Sequence, residues 1–165
     1  MSRVYRVLRR KYARNPFDGE GAYRYGGRWS SPGTRLSYTS EHQSLALLEY
    51  FVHLDSDDPP ADLVLAVAEI PDDLARQRIE VTQLPEGWRS PIAPPQLSQI
   101  GDQFVRTREH CFLLVPSALS PTEYNWLMNP NHPDYNRIVV LEPETVNYDP
   151  RMFGRERGQR RPARR

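Results

Sequence analysis

One cysteine and one lysine in 165 residues set the first limits on this chain. Cys111 lies in the apolar run Cys111-Phe-Leu-Leu-Val115 with no second thiol to meet, so no intrachain disulfide staples the fold. That usage predicts a reduced, cytoplasmic setting. Lys11 is the lone lysine among 22 basic residues, so guanidinium groups are abundant and each arginine has to be judged by its context. Nowhere do 18 apolar residues run together, and Met1-Ser-Arg-Val-Tyr-Arg-Val-Leu-Arg-Arg10 lacks the continuous apolar stretch of a signal peptide. Neither a membrane-spanning helix nor export by that route is expected. Gly19 and Gly21 fail to open a Gly-x-Gly-x-x-Gly loop because residue 24 is Arg24, and no Walker lysine motif exists. His42, His53, His110 and His132 are scattered without a cysteine pair, so no metal site is legible.

The length suits one domain with a substantial core. Charge is divided unevenly along it. Residues 151–165 hold seven Arg and one Glu, or +6, which against a total of +1 leaves −5 for residues 1–150. Residues 154–165 have no apolar side chain larger than Ala or Pro, so we expect a disordered Arg-rich tail after a single domain over residues 1–153.

Val4 to Leu8 alternates apolar and polar residues and predicts a first strand, after which Asn15-Pro16 and Asp18-Gly19 open a long glycine-rich loop. Leu36 to Thr39 reads as a short strand leading out of it. Ser40-Glu-His-Gln43 has the form of a capping box, with Ser40 as N-cap of a helix running to about Leu54. On that helix Leu45, Leu48, Glu49 and Val52 fall within one arc of about 100°, which puts Glu49 on the apolar face. Asp55 to Asp62 is an acidic turn, Leu63 to Ile70 a strand, and residues 85–98 a proline-rich crossing segment packed by Trp88. Gln96 to His110 reads as a helix interrupted near Gly101, His110 to Pro116 as a buried strand, and Ile138 to Leu141 as the last strand after a turn at Pro130 to Pro133. Helices and strands mix without a βαβ rhythm or an internal repeat. The expected class is therefore α+β, an antiparallel or mixed sheet with flanking helices.

The chemistry concentrates between Gly19 and Glu49. Five glycines, Arg28, Tyr38 and the helical Glu49 bring backbone free of side-chain bulk, a planar fork of donors, an aromatic hydroxyl and a carboxylate into one stretch. That set suits a nucleotide whose glycosidic bond is broken, because the fork matches a pyrophosphate and a lone carboxylate stabilises an oxocarbenium-like sugar. Each residue also has a plain alternative. Arg28 is one of many arginines with surface or ion-paired uses, and Tyr38 sits where tyrosines usually pack. A carboxylate on an apolar face needs a partner, and for Glu49 an arginine is the simplest one.

Asp18-Gly-Glu-Gly-Ala22, Gly26-Gly-Arg-Trp29, Tyr38-Thr-Ser40 and Leu45-Ala-Leu-Leu-Glu49 with His53 resemble the RES domain, the toxin half of RES/Xre type II toxin–antitoxin pairs. Later segments agree: Gly101, Leu114-Val-Pro-Ser117, Asn125 through Asn129-Pro-Asn-His-Pro133, and Asp149-Pro-Arg151. The resemblance spans roughly residues 3 to 152, with Ser30 standing where the family usually has Asn. It implies an ADP-ribosyltransferase-like fold with NAD⁺ as substrate. On it Arg28 holds the phosphates, Tyr38 stacks on nicotinamide or bonds a ribose or phosphate, and Glu49 binds the ribose and stabilises positive charge at C1″. Ser117 is then a hydrogen-bonding residue and not a nucleophile, with Asn125 and Arg6 completing the site, Arg6 as a second phosphate contact.

The resemblance thus implies a toxin that cleaves the nicotinamide–ribose bond and depletes NAD⁺ by phosphorolysis or hydrolysis, or else ADP-ribosylates a protein target. The implied partner is a cognate Xre-like antitoxin that occludes the pocket; a homodimer is left open. A reading from another class makes the chain a non-catalytic nucleic-acid-binding protein gripping phosphates through its Arg-rich tail. The −5 charge of residues 1–150 and the lack of a recognised binding motif argue against specific nucleic-acid binding, and a short basic tail supplies only salt-sensitive attachment.

Overall fold

The computed structural model describes residues 1–54, 60–149 and 152; most of the acidic turn at 55–62 and all of the tail at 154–165 lie outside the described residues. Eight strands form one sheet: β1 (Ser2–Arg9), β2 (Ser37–Ser40), β3 (Leu63–Ile70), β4 (Arg76–Arg78), β5 (Phe112–Pro116), β6 (Tyr124–Met128), β7 (Val139–Val140) and β8 (Glu144–Thr145). Their order is β4-β5-β6-β2-β1-β3-β7, with β8 also on β3. Only the β4–β5 pair is parallel, so the sheet is mixed and the class is α+β, as the sequence predicts. Among the described residues three α-helices accompany it: α1 (Glu20–Tyr25), α2 (Gln43–Phe51) and α3 (Pro95–Thr107).

The two-residue period of the strands sorts the core into layers. Val4, Leu8, Val64, Ala66, Phe112, Leu114, Trp126 and Met128 share one face with Phe17. The other face is divided. Leu113, Val115 and Leu127 pack under Leu97, Phe104 and Val105 of α3, whereas Val7, Leu63, Leu65 and Val67 pack under Ala46, Leu47 and Phe51 of α2. The two helices thus cover opposite halves of that face. Beside this division β1 is registered against β3 over eight residues but against β2 at a single pair, Tyr5 opposite Ser40. Below that pair the sheet parts.

Several expected elements differ. The glycine-rich loop contains α1, which starts after Gly19 in the left-handed region at φ 70 and ends at Gly26, also at φ 70. Ser40 is no helix cap: it is the last residue of β2, its hydroxyl bonds Asn125, and α2 starts three residues later behind His42. That helix ends at Phe51, and Leu48 and Val52 are 46% and 52% exposed, so the buried face is Leu45 and Ala46, with half-buried Glu49 at its edge. Gly101 does not interrupt α3. A side chain there would put its Cβ 1.7 Å from the Trp29 carbonyl oxygen, so the glycine permits close packing. The strand expected over Ile138 to Leu141 is only Val139–Val140, exposed and paired with β3; it is followed by β8 and so is not the last, and β6 appears where no strand was expected.

Candidate active site

The gap between the two covered halves is a cleft of about 460 Å³ whose wall includes Arg6, Gly27, Tyr38, Ser40, Glu49 and Asn125. Three elements converge on Glu49. Its Oε1 accepts hydrogen bonds from Ser117 Oγ at 2.7 Å and Asn125 Nδ2 at 2.5 Å. Each donor is itself held. Ser40 Oγ donates to Asn125 Oδ1 at 2.7 Å across a registered β2–β6 pair, which fixes the amide. Ser117 Oγ accepts from the backbone N–H groups of Leu119 and Ser120 at 3.1 and 3.2 Å, so its own proton points to Glu49. Among the described residues Oε2 has no hydrogen-bond partner, and no arginine is paired with Glu49. The carboxylate is oriented by neutral groups through one oxygen, and its second oxygen is unengaged among the described residues. The arginine partner that a buried carboxylate suggests is absent from the described residues.

Tyr38 contributes its ring to the same cleft, but its hydroxyl is turned into the Gly27–Ser30 turn. The Trp29 N–H donates to it at 3.0 Å, and it shares a hydrogen bond of 2.9 Å with Ser30 Oγ. Burial, as the largest cause, pushes the phenol up to about 12. Ser30, at the position where the resemblance calls for Asn, is therefore a buried half of this clasp. Gly27 is the other half: a Cβ on it would sit 2.6 Å from Tyr38 Oη. The turn is also held from behind, where Asp102 Oδ1 accepts from the Ser31 N–H at 2.9 Å and Gly101 abuts Trp29.

The two arginines stand differently. Arg28 is not among the residues lining the cleft, and its guanidinium donates to the carbonyls of Trp88 at 2.7 Å and Ser90 at 3.0 Å. Arg6 enters the rift between β1 and β2, donating through Nη1 to the Pro16 carbonyl at 2.8 Å and to Ser37 Oγ at 3.1 Å. Desolvation lowers its pKa from the usual guanidinium value. Its Nε and Nη2 have no partner among the described residues. His53, one turn beyond Glu49, lines the cleft without a hydrogen bond to it. Cys111 is buried, burial raises its thiol to about 12, and it lies outside this site. No group of three metal-ligating side chains occurs among the described residues.

A fold with a clefted sheet, a carboxylate on neutral donors and a buttressed glycine turn matches one family along its length: the model of the RES domain fits residues 3–149. The chain belongs to the RES domain family. Relatives support this. It is 34% identical over 150 residues to a protein named Toxin Res from Yersinia enterocolitica, covering 90% of this chain and 98% of that one. It is 36% identical over 146 residues to the Prs ADP-ribosylating toxin of Sphingobium, covering 87% and 91%. Among solved structures, a chain of the M. tuberculosis MbcT–MbcA toxin–antitoxin complex superposes with a TM-score of 0.71 at 17% identity over 93% of this chain and 87% of that one. That likeness is one of fold.

Of the residues expected from sequence, Glu49, Ser117 and Asn125 meet in one hydrogen-bonded set, Tyr38 and Arg6 share the cleft with it, and Arg28 is bonded to the 88–90 segment. Gly27 is one of the five glycines expected at the site, Ser40 and Gly101 belong to segments that carry the resemblance but have no role of their own in it, and nothing in the sequence singles out Asp102. Ser40 carried a signal, but its sequence context reads as a helix cap and only the β2–β6 register reveals its use.

Proposed function

We propose that this RES domain is the toxin of a toxin–antitoxin pair that binds NAD⁺ in the cleft and breaks its nicotinamide–ribose bond. The observation carrying this reading is Glu49 on the cleft wall, half-buried, oriented by Ser117 and Asn125 through one oxygen, with Oε2 unpartnered among the described residues. The C1″–N1 bond breaks with its electron pair retained by nicotinamide, which departs neutral and needs no acid. Glu49 opposes the positive charge that develops on the ribose, an effect that is large in a site shielded from water. An acceptor oxygen then bonds to C1″ and gives up its proton to solvent. The ring of Tyr38 offers the departing nicotinamide a flat surface. Arg6, desolvated and with two groups of donors unengaged, is the cation that meets the pyrophosphate from inside the cleft. Arg28 acts in this conformation by tying the Gly26–Trp29 turn to the 88–90 segment.

Depletion of NAD⁺ by water or phosphate is the reading we favour, since the cleft needs only a small acceptor. Transfer to a protein is the second, favoured by the name of the Sphingobium relative. The partner is a cognate antitoxin with an Xre-like helix-turn-helix domain, in line with the complex in which the M. tuberculosis neighbour was solved. No helix among the described residues is long and apolar enough to cross a membrane, and the place of action we propose is the cytoplasm, where NAD⁺ is found. The test is incubation of the purified chain with NAD⁺, with and without phosphate, and identification of products by mass. Free nicotinamide with ADP-ribose indicates hydrolysis, and with ADP-ribose 1″-phosphate indicates phosphorolysis. No nicotinamide in either mixture contradicts the reading.

A further inference from the structure

The proline-rich crossing segment ties two parts of the site together. Its first turn is closed at Gly87, left-handed at φ 73, where the Ser90 N–H donates to the Gly87 carbonyl at 2.8 Å, and Trp88 is buried with Leu97, Leu113 and Val115. The stretch is thereby anchored on the core. Two links leave it. Its main chain holds Arg28, whose two Nη atoms donate to the carbonyls of Trp88 and Ser90, and Arg28 belongs to the turn whose Trp29 N–H and Ser30 hydroxyl clasp the Tyr38 phenol. Its one side chain between those carbonyls, Arg89, donates through Nε to the Ala118 carbonyl at 2.9 Å. Ala118 lies in the turn whose Leu119 and Ser120 N–H groups fix Ser117 Oγ, the donor to Glu49 Oε1. The sheet joins these places less directly. Tyr38 is on β2 and Ser117 follows β5, with β6 between the two strands, whereas residues 88–90 reach both turns within three positions.

We infer that residues 88–90 form a strap that sets the Tyr38 ring and the Glu49 carboxylate relative to each other, and that Arg89 is a positioning residue for bond cleavage in the cleft. This rests on the NAD⁺ reading above and extends it to a residue that does not line the cleft. Arg89 acts through Ser117. With the Ala118 carbonyl held, the 117–120 turn keeps the Leu119 and Ser120 N–H groups on Ser117 Oγ and so keeps its proton on Glu49. With that carbonyl released, the hydroxyl is free to turn away, and Asn125 is left as the one donor to Glu49 among the described residues. A carboxylate aimed at a developing charge loses rate steeply with small displacements, because its effect depends on being held in place beforehand. Substrate affinity, spread over the whole cleft, depends on it less.

Nicotinamide release from NAD⁺ by the full chain tests this with Arg89→Ala, since that side chain is exposed and its loss opens no core. The variant's kcat should fall about 5-fold or more while KM stays within about 2-fold, the split expected when an interaction is lost mainly in the transition state. Arg137→Ala, which breaks a surface pair with Asp73, should leave kcat at the parent's value. Added to Ser117→Ala, Arg89→Ala should cost nothing further, because both act through one hydrogen bond. Losses that multiply in the double variant, a parent-like kcat in Arg89→Ala, or an equal loss in Arg137→Ala overturn the inference and leave the reaction standing. Amide hydrogen exchange gives a readout free of turnover: Leu119 and Ser120 should exchange faster in Arg89→Ala, and unchanged exchange at both overturns the strap. A parent that releases no nicotinamide overturns the proposed reaction, and with it the part of Arg89 in catalysis, even where the exchange rates show the tie to Ala118.

Discussion

Among the described residues the Glu49 carboxylate accepts only from neutral donors, Ser117 and Asn125, and this decides what Glu49→Gln should do. The substitution leaves no cation uncompensated, so the loss of about 3–5 kcal/mol that follows removal of one member of a buried ion pair is not expected. The missing negative charge should slow the chemical step by roughly 10²-fold or more. Single-turnover nicotinamide release beside thermal unfolding measures both, and an unstable variant with normal activity per folded molecule would end the catalytic assignment. Arg6 and Arg28 are separable in the same way. Arg6→Gln should weaken NAD⁺ binding about 10-fold or more, whereas Arg28→Lys, unable to span the Trp88 and Ser90 carbonyls, should act more on turnover than on affinity. Equal affinity of the Arg6 variant and the parent in a titration removes Arg6 from the phosphate site. Tyr38→Phe keeps the ring but strands the Trp29 N–H, a destabilisation of about 1–3 kcal/mol in denaturant unfolding. How legible these residues were in the sequence varies. Glu49 is reached by its helical position, yet the arc that suggests it includes the exposed Leu48 and Val52. What holds Glu49 lies 68 and 76 residues further along the chain, and no local pattern reports that distance.

Among the elements, β1, β3 and β5 are visible in sequence because their alternating or continuous Val and Leu match a buried pleated strand. β6, Tyr-Asn-Trp-Leu-Met, lacks that signature because Asn125 is spent on the site. α1 is hidden by its glycines, and the Ser40 cap is mistaken because strand end and helix start are separated by two residues that serve both readings. Gly101 is the most instructive case. In sequence it reads as a break; in the fold it lets α3 press on the backbone of Trp29 and so hold the turn that carries Arg28. Gly101→Ala should therefore raise helix propensity yet destabilise the protein by about 1–3 kcal/mol through forced displacement of the turn, with a loss of turnover. Unfolding at or above the parent's temperature would show that α3 can withdraw without cost and that the buttress is unnecessary.

For the whole molecule, several buried protons set a limit at alkaline pH. Burial raises Tyr38 and Tyr135 from 10.0 to about 12 and Cys111 from 9.0 to about 12. The unfolded chain loses these protons first, so their contribution is complete below about pH 9 and is lost as pH rises toward 12. Urea unfolding at about pH 8 and about pH 11 should show the decline, and equal stability at both would mean these groups open to water at little cost. The central claim is that this RES domain stops cells by consuming NAD⁺. Its most direct measurement is the cellular NAD⁺ pool, followed with growth after expression of the chain without its antitoxin and compared with Glu49→Gln. The account predicts that the pool falls before growth stops, that the Gln variant does neither, and that the cognate antitoxin restores both. Growth arrest with an undiminished NAD⁺ pool would contradict it.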